Sequence, residues 1–188
     1  MSGIGHNGGP TIERGQRWLA YQWRQAQKAL MPKTIPLAIV KMRLRRATEL
    51  GMDYKTYAAI RQATGRDICA FLFSSNALGI IGPGQPRIPE PRADKLAGLK
   101  GAGRLALVYL PHDPTAVAAA EEVIDAATRA PDLRMPWSGV RAHLGAFVRD
   151  RHLVGDQVVI VGDTALEAEW TTAARAAGYV SAERYFGT

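Results

Sequence analysis

The chain has 188 residues, 47% hydrophobic and 22% charged, with one cysteine and a net charge of +7. These values fit a soluble globular protein of one domain or two small ones, long enough to bury a core. They exclude an intramolecular disulfide and a cysteine cluster for zinc, and no apolar run approaches the ~20 residues of a membrane helix. The charge is unevenly divided. Residues 1–92 carry 14 Lys and Arg against 5 Asp and Glu, a net +9, whereas residues 93–188 carry 10 against 12, a net −2. That asymmetry predicts separate tasks for the two halves.

The opening MSGIGHNGGP holds four glycines and a proline without a hydrophobic period, which predicts a disordered arm over 1–10. It lacks the basic and apolar regions of a secretory signal, so the expected location is cytoplasmic, with no membrane partner. These ten residues resemble the leader of many alphaproteobacterial proteins linked to prophages or gene-transfer elements.

A helical, basic region is expected over 11–81. Between Thr11 and Met31, Ile12, Leu19, Trp23, Ala26 and Leu30 form an apolar stripe, and Arg14, Arg17, Tyr21, Arg24 and Lys28 form a cationic stripe opposite. The apolar stripe must pack within the chain or form a homodimer contact. Pro32 and Pro36 end this helix. Thr34 caps a second helix to about Leu50, with Leu37, Val40, Leu44 and Ala47 inward and Lys41, Arg43, Arg45 and Arg46 on the remaining surface. Gly51 closes it, Asp53 caps YKTYAAIRQAT, and Gly65 ends that helix. Asp67 is expected to start another helix through Ile68, Phe71, Leu72 and Ser75, too apolar to read a DNA groove, with Cys69 a buried structural thiol.

The stretch 82–92, with four prolines among its glycines, reads as a linker. A small doubly wound α/β domain with a parallel sheet is expected over 93–188. Its elements are a helix from Ala93 to Lys100, strand RLALVYL, helix PTAVAAAEEVIDAATRA, helix WSGVRAHLGAFVRDRHL, strand QVVIVGD, helix TALEAEWTTAARAAG and a last strand near SAERYF.

In a parallel sheet the ligand crevice lies beyond the C-terminal strand ends, where this chain places LPHDPT and GDT. With VVIVGDTALEAEWTTAARAAGY, these segments resemble the haloacid dehalogenase-like phosphotransferases, whose motifs are D-x-D-x-T and a later acidic turn. The resemblance implies a Rossmann-like fold, with Asp113 as acid/base, Thr115 as the motif threonine and Asp163 as the metal ligand for Mg²⁺. The nucleophilic aspartate corresponds to Pro111, which has no carboxylate to attack phosphorus. Between Thr115 and Val158 no strand is expected, leaving the family's remaining motifs without carriers. The other reading of Asp113, Asp163 and Thr164 is as helix caps. The four histidines show no metal-ligand spacing.

The leading expectation is a non-enzymatic binding protein without a cofactor. Its basic half contacts nucleic-acid phosphates through Arg14, Arg17, Tyr21, Arg24, Lys28, Lys41, Arg43, Arg45, Arg46 and Arg66, and its α/β half binds a partner or ligand. The alternatives are a divergent Mg²⁺-dependent phosphohydrolase and an assembly factor whose basic face meets an acidic protein.

Overall fold

Ala70–Ser74, AFLFS, has four successive apolar residues, a run too short for its period to distinguish helix from strand. In the computed structural model, which describes residues 35–187, it is strand β1, buried at every position. The other strands are β2 (Gly103–Val108), β3 (Ala126–Arg129), β4 (Val158–Gly162) and β5 (Gly178–Ser181). They form one sheet in the order β3-β2-β1-β4-β5, and every pairing is parallel. At its centre Leu72 lies opposite Leu105 on one side and Ile160 on the other.

The helices are α1 (Leu37–Glu49), α2 (Tyr54–Thr64), α3 (Ser75–Leu78), α4 (Glu90–Ala97), α5 (Pro114–Ala120), α6 (Trp137–Arg149), α7 (Ala165–Ala174) and α8 (Ala182–Phe186). Because the sheet is covered on both faces, its strands are apolar throughout rather than alternating. Phe71, Phe73, Ala106, Val108, Val159 and Val161 pack in one core with Ala47, Tyr57, Ile60, Leu96, Val117 and Tyr185. Leu72, Leu105, Leu107, Val158 and Ile160 pack in a second core with Val140, Leu144, Phe147 and Trp170. The architecture is α/β and Rossmann-like. Among the described residues no helix is long and apolar enough to cross a membrane.

The chain divides after Val40 into two units, Met1–Val40 and Lys41–Thr188. The arm over 1–10 and the helix over 11–31, with Arg14, Arg17, Tyr21, Arg24 and Lys28, lie outside the described residues. Several expectations are corrected. The segment after Asp67 is the central strand, not a helix, so the sheet draws on both sides of the Pro-rich stretch 82–92, which is a connection inside the second unit. The long helix expected after Asp113 stops at Ala120, and β3 occupies Ala126–Arg129, where no strand was expected. The helix expected from Ala93 begins at Glu90, and the last strand ends at Ser181, the first residue of SAERYF, the rest of which is α8. Cys69 is half-buried.

Of the α1 residues expected inward, Ala47 is buried, but Leu37 and Leu44 are exposed, and Arg46, expected on the surface, is half-buried beside Ala47. The reason is a clamp. Arg46 donates to the carbonyls of Ile68 (2.9 Å), Lys100 (2.8 Å) and Gly101 (2.9 Å), and through Nε to Asp67 Oδ2 (3.0 Å). It thereby ties α1 to the segments entering β1 and β2. Asp67 also accepts from the Tyr57 hydroxyl at 2.8 Å. Burial alone would raise the Asp67 carboxyl, but the Tyr57 hydroxyl and the Arg46 guanidinium outweigh it and hold the group below the usual carboxylate range.

Arg46→Ala is expected to lower unfolding free energy by about 2 kcal/mol in urea titration, since charge-assisted bonds are lost and Asp67 is left behind. A depressed carboxyl stabilises the fold above its unfolded pKa, and that contribution disappears as pH falls through the folded value. Stability measured from neutral pH downward should therefore fall less in Asp67→Asn, which starts lower, than in the parent.

Candidate functional site

In the order β3-β2-β1-β4-β5 the chain leaves β1 towards one edge of the sheet and β4 towards the other. Their C-terminal ends form the switch point at which doubly wound sheets usually open a crevice. Here that point is filled by Glu167. Its carboxyl group is fully buried and accepts from the backbone N–H of Asp163 (2.5 Å) and of Thr164 (3.0 Å), and from the Asn76 amide (3.0 Å). Thr164 completes the arrangement by accepting from the Glu167 N–H, a reciprocal capping box at the start of α7. One side chain thus starts α7 and holds the chain leaving β4 to the chain leaving β1. Gly162 makes room for it, since a Cβ there would lie 2.8 Å from the Tyr179 ring and 2.9 Å from Glu167.

Asp163 is exposed, and the helix is capped by Thr164 rather than by its carboxylate. Asp113 is the cap of α5, its Oδ1 accepting from the N–H groups of Thr115 (2.8 Å) and Ala116 (3.1 Å), so Thr115 contributes its backbone there. Among the described residues no group of three or more His, Cys, Asp or Glu side chains is placed to hold a metal ion. His112 is buried, and its carbonyl accepts from Arg129 at 2.6 Å.

Of the expected phosphate contacts among the described residues, Arg43, Arg45 and Arg46 line one space beside α1 together with Glu49 and Asp67, and Lys41 and Arg66 do not line it. Arg46 is the internal clamp, Arg45 pairs with Glu49 (3.0 Å) and Arg66 with Asp156 (2.9 Å). Lys41 is exposed, and Arg43 is half-buried with its Nε out of solvent.

Open space at the C-terminal end of the sheet lies over β2 and β3 instead. A cavity of about 400 Å³ is lined by Tyr109, Leu110, Arg129, Leu133, Arg134 and Leu166, among others. A smaller one of about 130 Å³ shares Pro131, Asp132, Leu133 and Leu166 with it and reaches Trp137 and Trp170. Tyr109 packs against Trp170 with ring centroids 5.9 Å apart. Burial, reinforced by the neighbouring Glu167, pushes the Tyr109 hydroxyl well above the usual phenol range. Asp132 Oδ1 accepts from the N–H groups of Arg134 and Met135, both at 2.9 Å, which shapes the loop after β3. The helix expected over 114–130 covered β3, so the segment 131–136 was read as a link between two helices and not as a loop at a strand end. The sequence reading also missed Glu167, although the T-x-x-E spacing of Thr164 and Glu167 was visible.

Glu167→Ala should cost about 3 kcal/mol of stability, because it empties a packed position and strands the two backbone N–H groups. Glu167→Gln keeps an acceptor for them and should lose less than half as much, as read by thermal and urea unfolding of the two variants. No protein-family model, curated protein or solved structure matches this chain.

Proposed function

We propose that this is a non-enzymatic binding protein whose α/β unit takes a small organic anion with an apolar body into the crevice over β2 and β3. The observation that carries the reading is the rim. Leu110 is 75% exposed, Leu133 84% and Trp137 46%, and all three border the connected cavities. Isolated exposed apolar residues are ordinary, but a cluster around a concavity marks a surface that water covers poorly and a ligand covers well. The larger space is within the usual size range of small-molecule sites.

Charge narrows the ligand class. Arg134 is exposed at the crevice, and Arg129 lines it while one of its nitrogens, Nη1, holds the carbonyls of Val108 and His112. The one acid of the larger cavity, Asp132, has an oxygen engaged by its own loop. Within the larger cavity two arginines face one acid, a balance that favours an anionic group seated there, on the side away from Glu169 of the smaller cavity.

Absence of turnover is supported by how the polar groups are used. A raised Tyr109 hydroxyl stays protonated at neutral pH and is a poor base. Glu167 is sealed beneath it by three donors. The carboxylate at Asp113 is engaged by the N-terminus of α5, which weakens the phosphohydrolase alternative.

An anilinonaphthalene sulfonate dye is a direct probe, as it joins a flat apolar body to one anion. Saturable binding of one dye per chain is expected, weakened at least tenfold in Leu110→Asp, Leu133→Asp with circular dichroism unchanged. Equal dye affinity in parent and variant would refute the crevice reading.

A further inference from the structure

The described arginines differ in whether a carboxylate holds them. Among the described residues Arg45, Arg46, Arg61, Arg66, Arg104 and Arg184 each pair with a carboxylate. Arg87, Arg134, Arg141, Arg149, Arg151 and Arg175 are exposed and have no such partner there, and of these Arg141, Arg149 and Arg175 line the same groove of about 630 Å³. One wall is α6, with Arg141, Gly145, Val148 and Arg149. The other is the C-terminal end of α7, and Leu153–Asp156, ahead of β4, closes the floor. The groove therefore lies towards the N-terminal ends of β4 and β5, at the end of the sheet opposite the β2–β3 crevice. Its only acid, Asp156, is paired with Arg66 at 2.9 Å, so the three cations are not neutralised from below.

Cations at helix C-termini complement the helix dipole, which accounts for charge near the ends of α6 and α7. Arg141 escapes that explanation, because it lies in the second turn of α6. Arg175 does so for another reason. It is the C-cap of α7 at φ 52°, ψ 40°, a left-handed conformation that favours glycine and costs an ordinary residue about 1 kcal/mol. Glycine would remove that cost, yet an arginine stands there without a side-chain partner among the described residues. Strain kept at a position without a compensating bond points to a function for the side chain.

We propose that this groove binds the phosphate backbone of a nucleic-acid strand. Arg141 and Arg149 are eight residues apart on one helix, about 12 Å along its axis. A single phosphate does not span that distance, whereas a strand advances roughly 3.4 Å per phosphate along a duplex axis and offers several within it. Guanidinium groups pair with phosphate oxygens in fork geometry, and nothing base-specific is needed for the contact. The groove thus assigns phosphate binding to the half of the chain that is acidic on balance, independently of the crevice ligand.

Fluorescence anisotropy of the full chain with a short labelled mixed-sequence oligonucleotide, at about 50 mM and about 200 mM salt, tests the proposal. Arg141→Gln, Arg149→Gln, Arg175→Gln should weaken binding at least tenfold and reduce the salt slope by roughly 2 to 3. A charge-matched control, Lys55→Gln, Arg87→Gln, Lys100→Gln, should change affinity less than about twofold. Arg175→Gly alone should keep or raise the melting temperature while weakening binding severalfold, which a purely structural role would not do. Equal effects of the two triple variants, or no effect of the first, would overturn the assignment. Displacement of the oligonucleotide by inorganic tripolyphosphate at matched phosphate concentration would also overturn it, in favour of a small polyphosphate ligand.

Discussion

Glu167 is the side chain on which the arrangement of this fold most depends. Taking a carboxyl group out of water is costly, and here the cost is offset by two backbone N–H donors and one amide. The donors come from the two segments that leave the sheet in opposite directions, so the same bonds that satisfy the carboxyl group also join β4 to β1. The consequence for function is geometric. The place where a doubly wound sheet ordinarily admits a ligand is occupied from within, and the accessible volume is shifted one strand over, between Tyr109 at the end of β2 and the loop after β3.

The two ends of the sheet then differ in chemistry. At the C-terminal end, Leu110, Leu133, Leu166 and Trp137 make an apolar concavity with arginines at its margin. At the opposite end, three arginines face a groove whose single acid is already paired. Charge counted along the sequence did not anticipate this division. Several cations of the first half are held inside the fold, Arg46 and Arg61 on Asp67 and Arg45 on Glu49, while Arg66 pairs with Asp156 of the second half and Asp53 of the first half with Arg184 of the second. Ion pairs formed across the fold redistribute charge in ways that a partition by residue number cannot follow.

What could be read from the sequence was set by how well each segment marks its own ends. Strand β4, an unbroken apolar run followed by a threonine cap, and helices α6 and α7 were legible for that reason. β1 was not: AFLFS follows an aspartate that suits a helix cap, and its strand character comes from pairing with β2 and β4, which are distant in sequence. β3 is AATR, inside an alanine-rich stretch whose local propensity is helical, and only the neighbouring strand overrides it. The prolines of 82–92 were read as a boundary, yet Ile88 is buried within the core and Glu90 opens α4. Asp113 shows the reverse case. Both its alternatives were open in the sequence, and its carboxylate engages the first N–H groups of α5.

The claim that binding is displaced from the switch point to the β2–β3 edge is tested most directly by backbone amide chemical shifts of the labelled protein during addition of the anionic dye. The account predicts movement at Tyr109, Leu110, residues 130–137 and Leu166, with Asn76 and Gly162 unchanged. Shifts centred on Asn76, Gly162 and Asp163, with the loop after β3 silent, would contradict it.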